Sequence, residues 1–368
     1  MSRKKILHLA KWYPNKVEPL LGIFVRKQIK SIQEYHTNKV LSIYQTDDIK
    51  CTIERHETNF ENVIEVVFYY KKGWFTKLKV FLALAKEVKQ SDCNFIHAHI
   101  MGWTSTLAYL YSRYKSIPFV ITEHWTGYRK GSFNALNFTS KYLRRFTAKR
   151  ASQLHVVSGY LKTDMMNCSI NANYTIMPNI VEGLRESKFV KNKLFSFVFV
   201  GDLDQQNKNI FGIIKAFKKI SAELNNVQLH IVGLGKDYKE CLNLCLELNL
   251  SSTVKFHGSK SNTEVFSILQ KSHVLVLNSF FETFSIICAE ALLCGIPVVS
   301  TKCGGPESFL NSQTGVLIDV GNETQLLNAM RTVYSRYEYY TSPELEKVAE
   351  QFSSKVIGQK LNSCYELI

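Results

Sequence analysis

The chain has 368 residues, of which 45% are hydrophobic and 21% are charged, and its formal net charge is +15. This composition is typical of a soluble globular protein, and the sequence has no low-complexity tract and no repeat with a period of 20 to 50 residues. No stretch of about 18 consecutive apolar residues occurs, and the apolar segment near the N-terminus is too short for a signal peptide. The sequence therefore predicts a cytoplasmic protein with no membrane-spanning helix, and its length predicts two domains.

The positive charge is concentrated in the first half of the chain. Residues 1–185 contain 28 basic residues (Lys and Arg) and 13 acidic residues (Asp and Glu), whereas residues 186–368 contain 18 basic and 18 acidic residues. An excess of this size predicts an anionic partner for the first half. From charge alone, that partner could be a nucleic acid, an acidic membrane surface or a phosphorylated substrate.

Short apolar segments alternate along the chain with longer segments of helical periodicity, which predicts parallel β-sheets covered by helices. The apolar segments show little polar alternation, as expected for strands that are covered on both faces. The predicted strands of a first domain are residues 5–10, 40–45, 95–100, 119–124, 153–158 and 174–179. The predicted strands of a second domain are residues 195–201, 227–233, 253–258, 274–279, 297–301 and 314–318.

These two sets of strands predict an N-terminal domain over residues 1–180 and a C-terminal domain over residues 195–352. A polar linker is predicted near residues 180–194. Residues 353–368 follow all the strands and are predicted to form a helix that packs back on the first domain. Two facing α/β domains leave a cleft at the carboxyl ends of both sheets, where ligands of open α/β sheets bind.

The segment FETFSIICAEALLCGIPVVST, residues 281–301, places two carboxylates around the start of a predicted helix. Glu282 lies in the turn after a strand, and Glu290 lies about one and a half turns inside the helix. Amides at a helix N-terminus bind phosphate or sugar hydroxyls, and carboxylates accept hydrogen bonds from hydroxyls. The segment therefore predicts a nucleotide-sugar site. Its four candidate amides belong to Thr283, Phe284, Ser285 and Ile286.

The same segment, together with the CGGPESF that follows it, resembles the E-x7-E signature of the retaining glycosyltransferases of family 4. Other segments follow in the family's order, among them KILHLAKWYPN, GIFVRKQ, FIHAHI, VITEHW, IMPNIV and VGDLDQQNKN. The resemblance extends over nearly the whole chain. It implies the GT-B fold, in which two Rossmann-like α/β domains face each other across the active-site cleft. The first domain would bind the acceptor and the second the nucleotide sugar.

The resemblance also implies roles for individual residues. Glu290 would hold the ribose hydroxyls of the donor nucleotide, and Glu282 with the amides after it would bind the transferred sugar. Lys208 matches a lysine that contacts the donor diphosphate, where growing negative charge must be stabilised. Gly22 matches a glycine whose backbone approaches the donor phosphate, and His124 matches a histidine that contacts the donor sugar.

Three of these assignments have a structural alternative. Glu290 could occupy a solvated position on its helix. Gly22 could be a turn glycine with no contact to the donor. His124 could be a buried histidine that is satisfied within the core. His97 and His99, in the preceding predicted strand, are further histidines expected at the edge of the cleft, and His99 is a weaker candidate than His124 for a role in the site.

Asp202 stands where many relatives have an arginine on the donor diphosphate, so the resemblance implies a clamp with less positive charge. Asp202 and Asp204 also form a DxD pattern, by which glycosyltransferases of a different fold hold a divalent ion. An oxygen-only metal site needs more than this spacing. We therefore expect no metal and no cofactor, the nucleotide sugar being a substrate, with a metal on the two aspartates as the alternative.

Other functions have less support from the sequence than a glycosyltransferase. Neither GxGxxG nor GxxxxGK[ST] occurs, so a dehydrogenase or P-loop enzyme has no support. A non-hydrolysing sugar nucleotide epimerase shares the two-domain architecture but needs acid and base carboxylates in the first domain. A basic RNA-binding protein would explain the charge of the first half, but the chain has no RNA-binding signature and its neutral second half would be unexplained.

Two segments, residues 71–89 and 141–151, combine basic and aromatic residues at helical spacing, as do helices that lie on an anionic bilayer. A solvated face over a buried apolar stripe would have the same composition. Loops predicted over residues 46–62 and 126–140 would contact the acceptor. The sequence thus predicts a retaining hexosyltransferase of bacterial surface polysaccharide synthesis at the inner face of the plasma membrane. It would use a nucleoside diphosphate sugar and a lipid-linked or acidic saccharide, and bind no nucleic acid.

Overall fold

The structure, a computed structural model, describes residues 3–129, 131–183, 190–340 and 342–368. The chain divides into two compact units, a first unit of residues 1–180 with 354–368 and a second unit of residues 181–353. The linker predicted near residues 180–194 includes residues 184–189, which lie outside the described residues. In the described ranges, no helix has both the length and the apolar character needed to cross a membrane.

The first unit is built on one eight-stranded sheet. Its strands are β1 (Lys5–Ala10), β2 (Thr37–Gln45), β3 (Ile53–Phe60), β4 (Val63–Tyr70), β5 (Phe95–His99), β6 (Phe119–Glu123), β7 (Gln153–Val156) and β8 (Tyr174–Ile176). Their order is β3-β4-β2-β1-β5-β6-β7-β8, and every neighbouring pair is parallel except β3 with β4. The intervening helices are α1 (Ile23–Lys30), α2 (Trp74–Gln90), α3 (Trp103–Lys115), α4 (Phe138–Arg150) and α5 (Gly159–Asn167).

The second unit is built on a six-stranded parallel sheet. Its strands are β9 (Phe195–Val200), β10 (Val227–Val232), β11 (Val254–Gly258), β12 (Val274–Leu277), β13 (Val298–Thr301) and β14 (Gly315–Ile318), in the order β11-β10-β9-β12-β13-β14. Its helices are α6 (Gln205–Lys208), α7 (Ile210–Glu223), α8 (Tyr238–Glu247), α9 (Asn262–Lys271), α10 (Ile286–Leu293), α11 (Glu323–Ser335) and α12 (Ser342–Glu350). The apolar strand residues form a buried core with the inner faces of these helices.

The C-terminal helix α13 (Ser354–Glu366) belongs to the first unit. Ile357, Leu361 and Tyr365 are buried with Phe95 of β5. The Tyr365 hydroxyl also lies 2.5 Å from Nδ1 of His97. The end of the chain therefore completes the core on one face of the first sheet.

The prediction of two α/β domains with parallel sheets is confirmed, with one correction in the first sheet. Residues 53–60 form β3, an antiparallel edge strand, inside a segment predicted to be a loop, and the prediction omits β4 altogether. The β3 sequence IERHETNF is mostly exposed, so it lacks the apolar run on which the prediction depends. The β4 sequence VIEVVFYY does have that run and could have been found.

Candidate active site

The second sheet reverses its strand order between β9 and β12, which are neighbours although they are far apart along the chain. In open α/β sheets, ligands bind outside the carboxyl ends of the strands at such a switch point. Lys208 ends the short helix that follows β9, and Glu282 lies in the turn that follows β12. The topology therefore brings two predicted site residues together across 74 residues of sequence.

Lys208 and Glu282 form an ion pair that is largely screened from solvent. Nζ of Lys208 lies 2.6 Å from Oε1 of Glu282, and the two side chains are 18% and 14% exposed. The hydroxyl of Ser279 donates to the same carboxylate oxygen at 2.9 Å. Burial lowers the pKa of Lys208, but the attraction of Glu282 outweighs it and the pKa is raised above its ordinary value. Lys208 is therefore a fixed positive charge at this edge of the sheet.

The turn after Glu282 presents main-chain amides. The main-chain amide of Glu282 donates to the carbonyl of Cys303, and the carbonyl of Glu282 accepts from the amide of Gly305. These two hydrogen bonds connect the turn to the segment after β13. In the described part of the chain, the amides of Thr283, Phe284 and Ser285 make no hydrogen bond to another residue. The helix α10 begins only at Ile286, so the first three of the four predicted amides lie in the turn before it.

The turn before α10 has a strained backbone, which packing on its buried side stabilises. Ser285 has φ 66° and ψ 78°, a left-handed conformation that non-glycine residues seldom adopt. The Phe284 ring is buried against Phe309 and Phe352, with ring centroids 5.3 and 5.0 Å away. A Cβ on Gly305 would lie 2.4 Å from the backbone of Phe284, so only glycine allows this close approach. The packing thus fixes the direction of the amides.

Glu290 lies in the fifth position of α10 and is only 6% exposed. Its Oε1 accepts a long hydrogen bond of 3.4 Å from the side-chain amide of Asn262, the first residue of α9. The residues on either side, Ala289 and Ala291, are buried as well. A buried carboxylate requires hydrogen-bond donors, and the hydroxyls of a ligand are donors that it can accept from. Asn262 was not identified from the sequence.

The two aspartates of the DxD pattern have different surroundings. Asp204 caps α6 by accepting from the amide of Gln206 at 2.9 Å, and it pairs with Lys236 at 3.1 Å. Asp202 is exposed, and its charge contributes to the raised pKa of Lys208. Among the described residues, the one group of three or more close metal-ligand side chains is formed by histidines of the first unit, without these aspartates.

In the first unit, Gly22 precedes α1, and His124 contacts a side chain of the same helix. Gly22 precedes α1 with φ 64°, and a Cβ there would lie 2.3 Å from the Trp12 carbonyl oxygen, so the turn itself requires glycine. Phe24 packs on the ring of His124 with centroids 4.4 Å apart. Burial lowers the pKa of His124 to about 3, although Asn179 acts in the opposite direction. His124 is therefore neutral near pH 7.

His97 and His99 do not lie at the edge of a cleft, which corrects their predicted position. Both are fully buried in β5, the strand next to the centre of the first sheet. His97 contacts the Thr122 hydroxyl at 2.6 Å, and His99 lies 3.0 Å from a ring nitrogen of His8. The strand is covered on both faces, so histidines on it point into packed protein.

Sequence reasoning also missed Glu123, the residue before His124. This fully buried carboxylate accepts hydrogen bonds from the amides of Met101, His124 and Trp125 and from the hydroxyl of Tyr128. It thereby fixes the segments that follow β5 and β6, and with all its hydrogen bonds internal it is poorly suited to the acid or base role that an epimerase needs. The sequence signal by which Glu123 could have been found is a carboxylate at the end of an apolar strand.

Two family models match the chain. The model described as "Glycosyl transferases group 1" matches residues 180–349, and "Glycosyltransferase Family 4" matches residues 36–182. The chain is 30% identical over 255 residues to the N-acetylgalactosamine-N,N'-diacetylbacillosaminyl-diphospho-undecaprenol 4-alpha-N-acetylgalactosaminyltransferase of Campylobacter jejuni, covering 66% of this chain and 67% of that protein. It is also 30% identical over 166 residues to the N-acetyl-alpha-D-glucosaminyl L-malate synthase of Bacillus anthracis, covering 44% of this chain and 43% of that protein.

Solved structures show the same fold. Sucrose-phosphate synthase from Thermosynechococcus elongatus superposes with a TM-score of 0.79 at 16% identity, covering 99% of each chain. Anabaena HepE in complex with UDP and glucose superposes with a TM-score of 0.75 at 18% identity, covering all of each chain. At these identities the similarity supports the fold alone, and the predicted GT-B class is confirmed.

Proposed function

Because the chain belongs to the group 1 and family 4 glycosyltransferases, we propose that it transfers a hexose, with retention, in bacterial surface polysaccharide synthesis. The donor is a nucleoside diphosphate sugar, and the acceptor is a lipid-linked or acidic saccharide. The name of the Campylobacter jejuni relative contains a diphospho-undecaprenol acceptor, and the HepE structure contains UDP and glucose. These names support a nucleotide sugar and a lipid-linked sugar as the substrates here.

The observation that carries the proposal is the Lys208–Glu282 ion pair beside the amides of residues 283–285. Lys208 and the main-chain amides of residues 283–285 can bind a diphosphate. The carboxylate of Glu282 beside them can accept hydrogen bonds from sugar hydroxyls. All of these groups lie at the switch point of one sheet. A single ligand that combines a diphosphate and a sugar satisfies them together.

In the transfer, the bond between the anomeric carbon and the diphosphate oxygen breaks while the acceptor hydroxyl oxygen bonds to the same face of that carbon. The acceptor proton passes to the departing phosphate oxygen, so no protein base is needed. Negative charge grows on the diphosphate, where Lys208 and the amides stabilise it. Glu282 orients the sugar and balances the positive charge that develops at its anomeric carbon.

The remaining residues hold the donor in this proposal. Glu290 receives the ribose hydroxyls, with Asn262 beside it. The neutral His124 contacts the sugar, and the backbone at Gly22 approaches the phosphate. No metal or cofactor takes part, since Lys208 and the amides supply the positive charge.

The first unit provides the contact with an anionic membrane, which would place the enzyme at the cytoplasmic face. Trp74 and Phe75 at the start of α2 are 70% and 60% exposed, and their rings stack on each other with centroids 3.4 Å apart. Phe138 and Tyr142 are exposed on α4. Exposed aromatic rings among lysines are typical of helices that lie in the membrane interface.

The test is turnover with a panel of nucleoside diphosphate sugars, measured as release of the nucleoside diphosphate. We expect Lys208→Ala and Glu282→Ala each to lower kcat by about 10² to 10³, as loss of one transition-state stabiliser does. Arg331→Ala is the control, because it removes an ion pair with Glu223 that is exposed on two outer helices of the same unit. Full activity of either site variant would refute its assignment.

The same assay separates the competing functions. Epimer formation without release of nucleoside diphosphate would favour an epimerase. Absence of turnover together with tight binding of RNA would favour an RNA-binding protein. Product analysis of the anomeric configuration decides between retention and inversion.

A further inference from the structure

A cavity of about 390 Å³ lies between α2, α3 and α4 of the first unit. Its walls include Phe81, Trp103, Leu107, Leu110 and Leu143, so its surface is mainly apolar. Its volume falls within the range of pockets that bind small organic molecules. Every lining residue belongs to the first unit, and none has a role in the site described above.

The cavity opens onto an apolar surface. Leu110 and Leu143, two of its wall residues, are 57% and 38% exposed. Leu78 and Leu82 on α2 and Phe138 on α4 extend the exposed apolar surface along the neighbouring helices. Exposed apolar side chains on three adjacent helices favour contact with a lipid.

The charge around the cavity selects an anionic occupant. The helices α2, α3 and α4 together contain 11 Lys and Arg and a single acidic residue, Glu87. That carboxylate is already paired with Lys39 and Arg55. An amphiphile with a phosphate head group fits this combination of apolar walls and positive surroundings.

Arg144 marks the inner end of the cavity. It is only 7% exposed and lines the cavity next to Gly102, and its Nη1 donates to the Met101 carbonyl at 2.6 Å. Its buried Nε finds no acceptor in the described part of the chain, which is costly for a guanidinium. Met101 and Gly102 follow β5, so this end lies at the carboxyl edge of the sheet, where ligands bind.

We propose that this cavity holds the hydrocarbon chain of a phosphate-linked lipid acceptor, with the phosphate towards Arg144 and the chain between Phe81, Leu107 and Leu110. The inference rests on the proposed transfer to a lipid-linked saccharide and names the part of the acceptor that the first unit recognises. The chain leads outward to the exposed apolar surface and so to the membrane. The saccharide remains at the carboxyl edge of the sheet.

The test is calorimetric titration of the full chain with farnesyl phosphate below its micelle concentration. Ser140→Phe places a ring in the cavity, and the structure shows no hydrogen bond from the Ser140 hydroxyl to another described residue that would be lost. We expect this variant to bind farnesyl phosphate about tenfold or more weakly, because the chain and the new ring compete for one volume. Thr139→Phe is the matched control, since it adds the same ring at the neighbouring exposed position outside the cavity and should bind as the wild type does.

Two further measurements separate the possible causes. Arg144→Gln should weaken farnesyl phosphate binding and leave farnesol binding unchanged, with thermal unfolding used to check that the variant folds. Binding of Ser140→Phe to anionic vesicles should match the wild type, because the exposed rings of α2 and α4 are retained. Wild-type affinity of Ser140→Phe for farnesyl phosphate, or a parallel loss of vesicle binding, would overturn the proposal.

The outcome is independent of the nucleotide-sugar assay. Release of nucleoside diphosphate with unchanged lipid binding in Ser140→Phe would refute the cavity and keep the transferase. Cavity-dependent lipid binding without nucleotide-sugar turnover would support the cavity and refute the transferase.

Discussion

The two units have the same parallel-sheet architecture but use charge in different ways. The first unit contains 29 Lys and Arg against 13 Asp and Glu, whereas the second contains 17 against 18. In the second unit the important cation, Lys208, is largely buried and paired with Glu282. In the first unit most of the cations that the structure describes are exposed, and they are spread over helices, strands and loops. We infer that the second unit recognises its ligand through a few fixed contacts and that the first attracts its partner through a broad positive field.

The units also differ in their buried histidines. Seven of the ten histidines belong to the first unit, and six of these are buried there: His8, His36, His97, His99, His124 and His155. Burial lowers the pKa of His8 to about 4 and the pKa of His155 to about 3. Although the first unit carries a large net positive charge, these buried histidines remain neutral in its core near pH 7. This contrast gives the largest of the expected effects.

Mild acid should destabilise the first unit strongly. The folded unit keeps His8, His124 and His155 neutral, whereas the unfolded chain protonates them below a pKa of about 6.5. The free energy of unfolding is therefore highest above pH 6.5 and falls as the pH decreases towards 4, by about 1.4 kcal/mol per pH unit for each such histidine. The four tryptophans all lie in the first unit, so the Tm from tryptophan fluorescence at pH 7.5 and 5 reports this unit.

A matched pair of variants checks the cause. His155→Gln removes one buried titrating ring and should reduce the loss of Tm between the two pH values. His56→Gln replaces an exposed histidine of β3 and should leave that loss unchanged. Equal Tm values of the wild type at both pH values would contradict the expected effect.

The positive field of the first unit should control membrane binding. Replacing Lys71, Lys72, Lys77 and Lys79 by Gln should weaken binding to anionic vesicles by about 1 kcal/mol for each lysine near the surface. Nucleotide binding should be unchanged, since none of these lysines is among the proposed donor contacts. Sedimentation with anionic and neutral vesicles at about 0.1 M salt, where the screening length is about 10 Å, measures the effect.

The control removes the same charge from the other unit. The exposed lysines to replace there are Lys215, Lys219, Lys239 and Lys255. This variant should sediment with anionic vesicles as the wild type does. If the wild type binds neutral and anionic vesicles equally, the membrane proposal fails and the positive charge would serve a soluble acidic acceptor.

How much the sequence reveals also differs between the units. In the second unit, apolar strands and the segment around Glu282 and Glu290 predicted both the sheet and the candidate site. In the first unit, the exposed edge strand β3 escaped prediction because its polar sequence lacks an apolar run. The contact of Lys208 with Glu282 depends on β9 lying next to β12, and strand order is set by long-range packing that local patterns do not contain.

Within the second unit, Glu290 should bind the donor nucleotide without supporting the fold of the site. We expect Glu290→Ala to weaken nucleoside diphosphate affinity by about 1.5 to 3 kcal/mol, the range for hydrogen bonds to a charged group. Calorimetry measures the affinity, and the Tm shows whether the unit is intact. Glu247→Ala, at an exposed carboxylate of α8, is the control. Unchanged affinity in Glu290→Ala would remove this residue from the site.

The smallest expected effect concerns Asp202, the exposed acid near Lys208. Asp202→Arg should keep donor affinity or improve it by less than about 1 kcal/mol, because an exposed charge interacts weakly through water. The same charge change at the exposed Asp47 of the first unit should leave donor affinity unchanged.

Activity should also survive excess EDTA, since Lys208 and the turn amides supply the positive charge at the diphosphate. Complete inhibition by EDTA that Mg²⁺ or Mn²⁺ reverses, together with loss of that reversal in Asp202→Arg, would instead assign the two aspartates to a metal ion. The second unit would then recognise the diphosphate through a bound cation rather than through Lys208 alone.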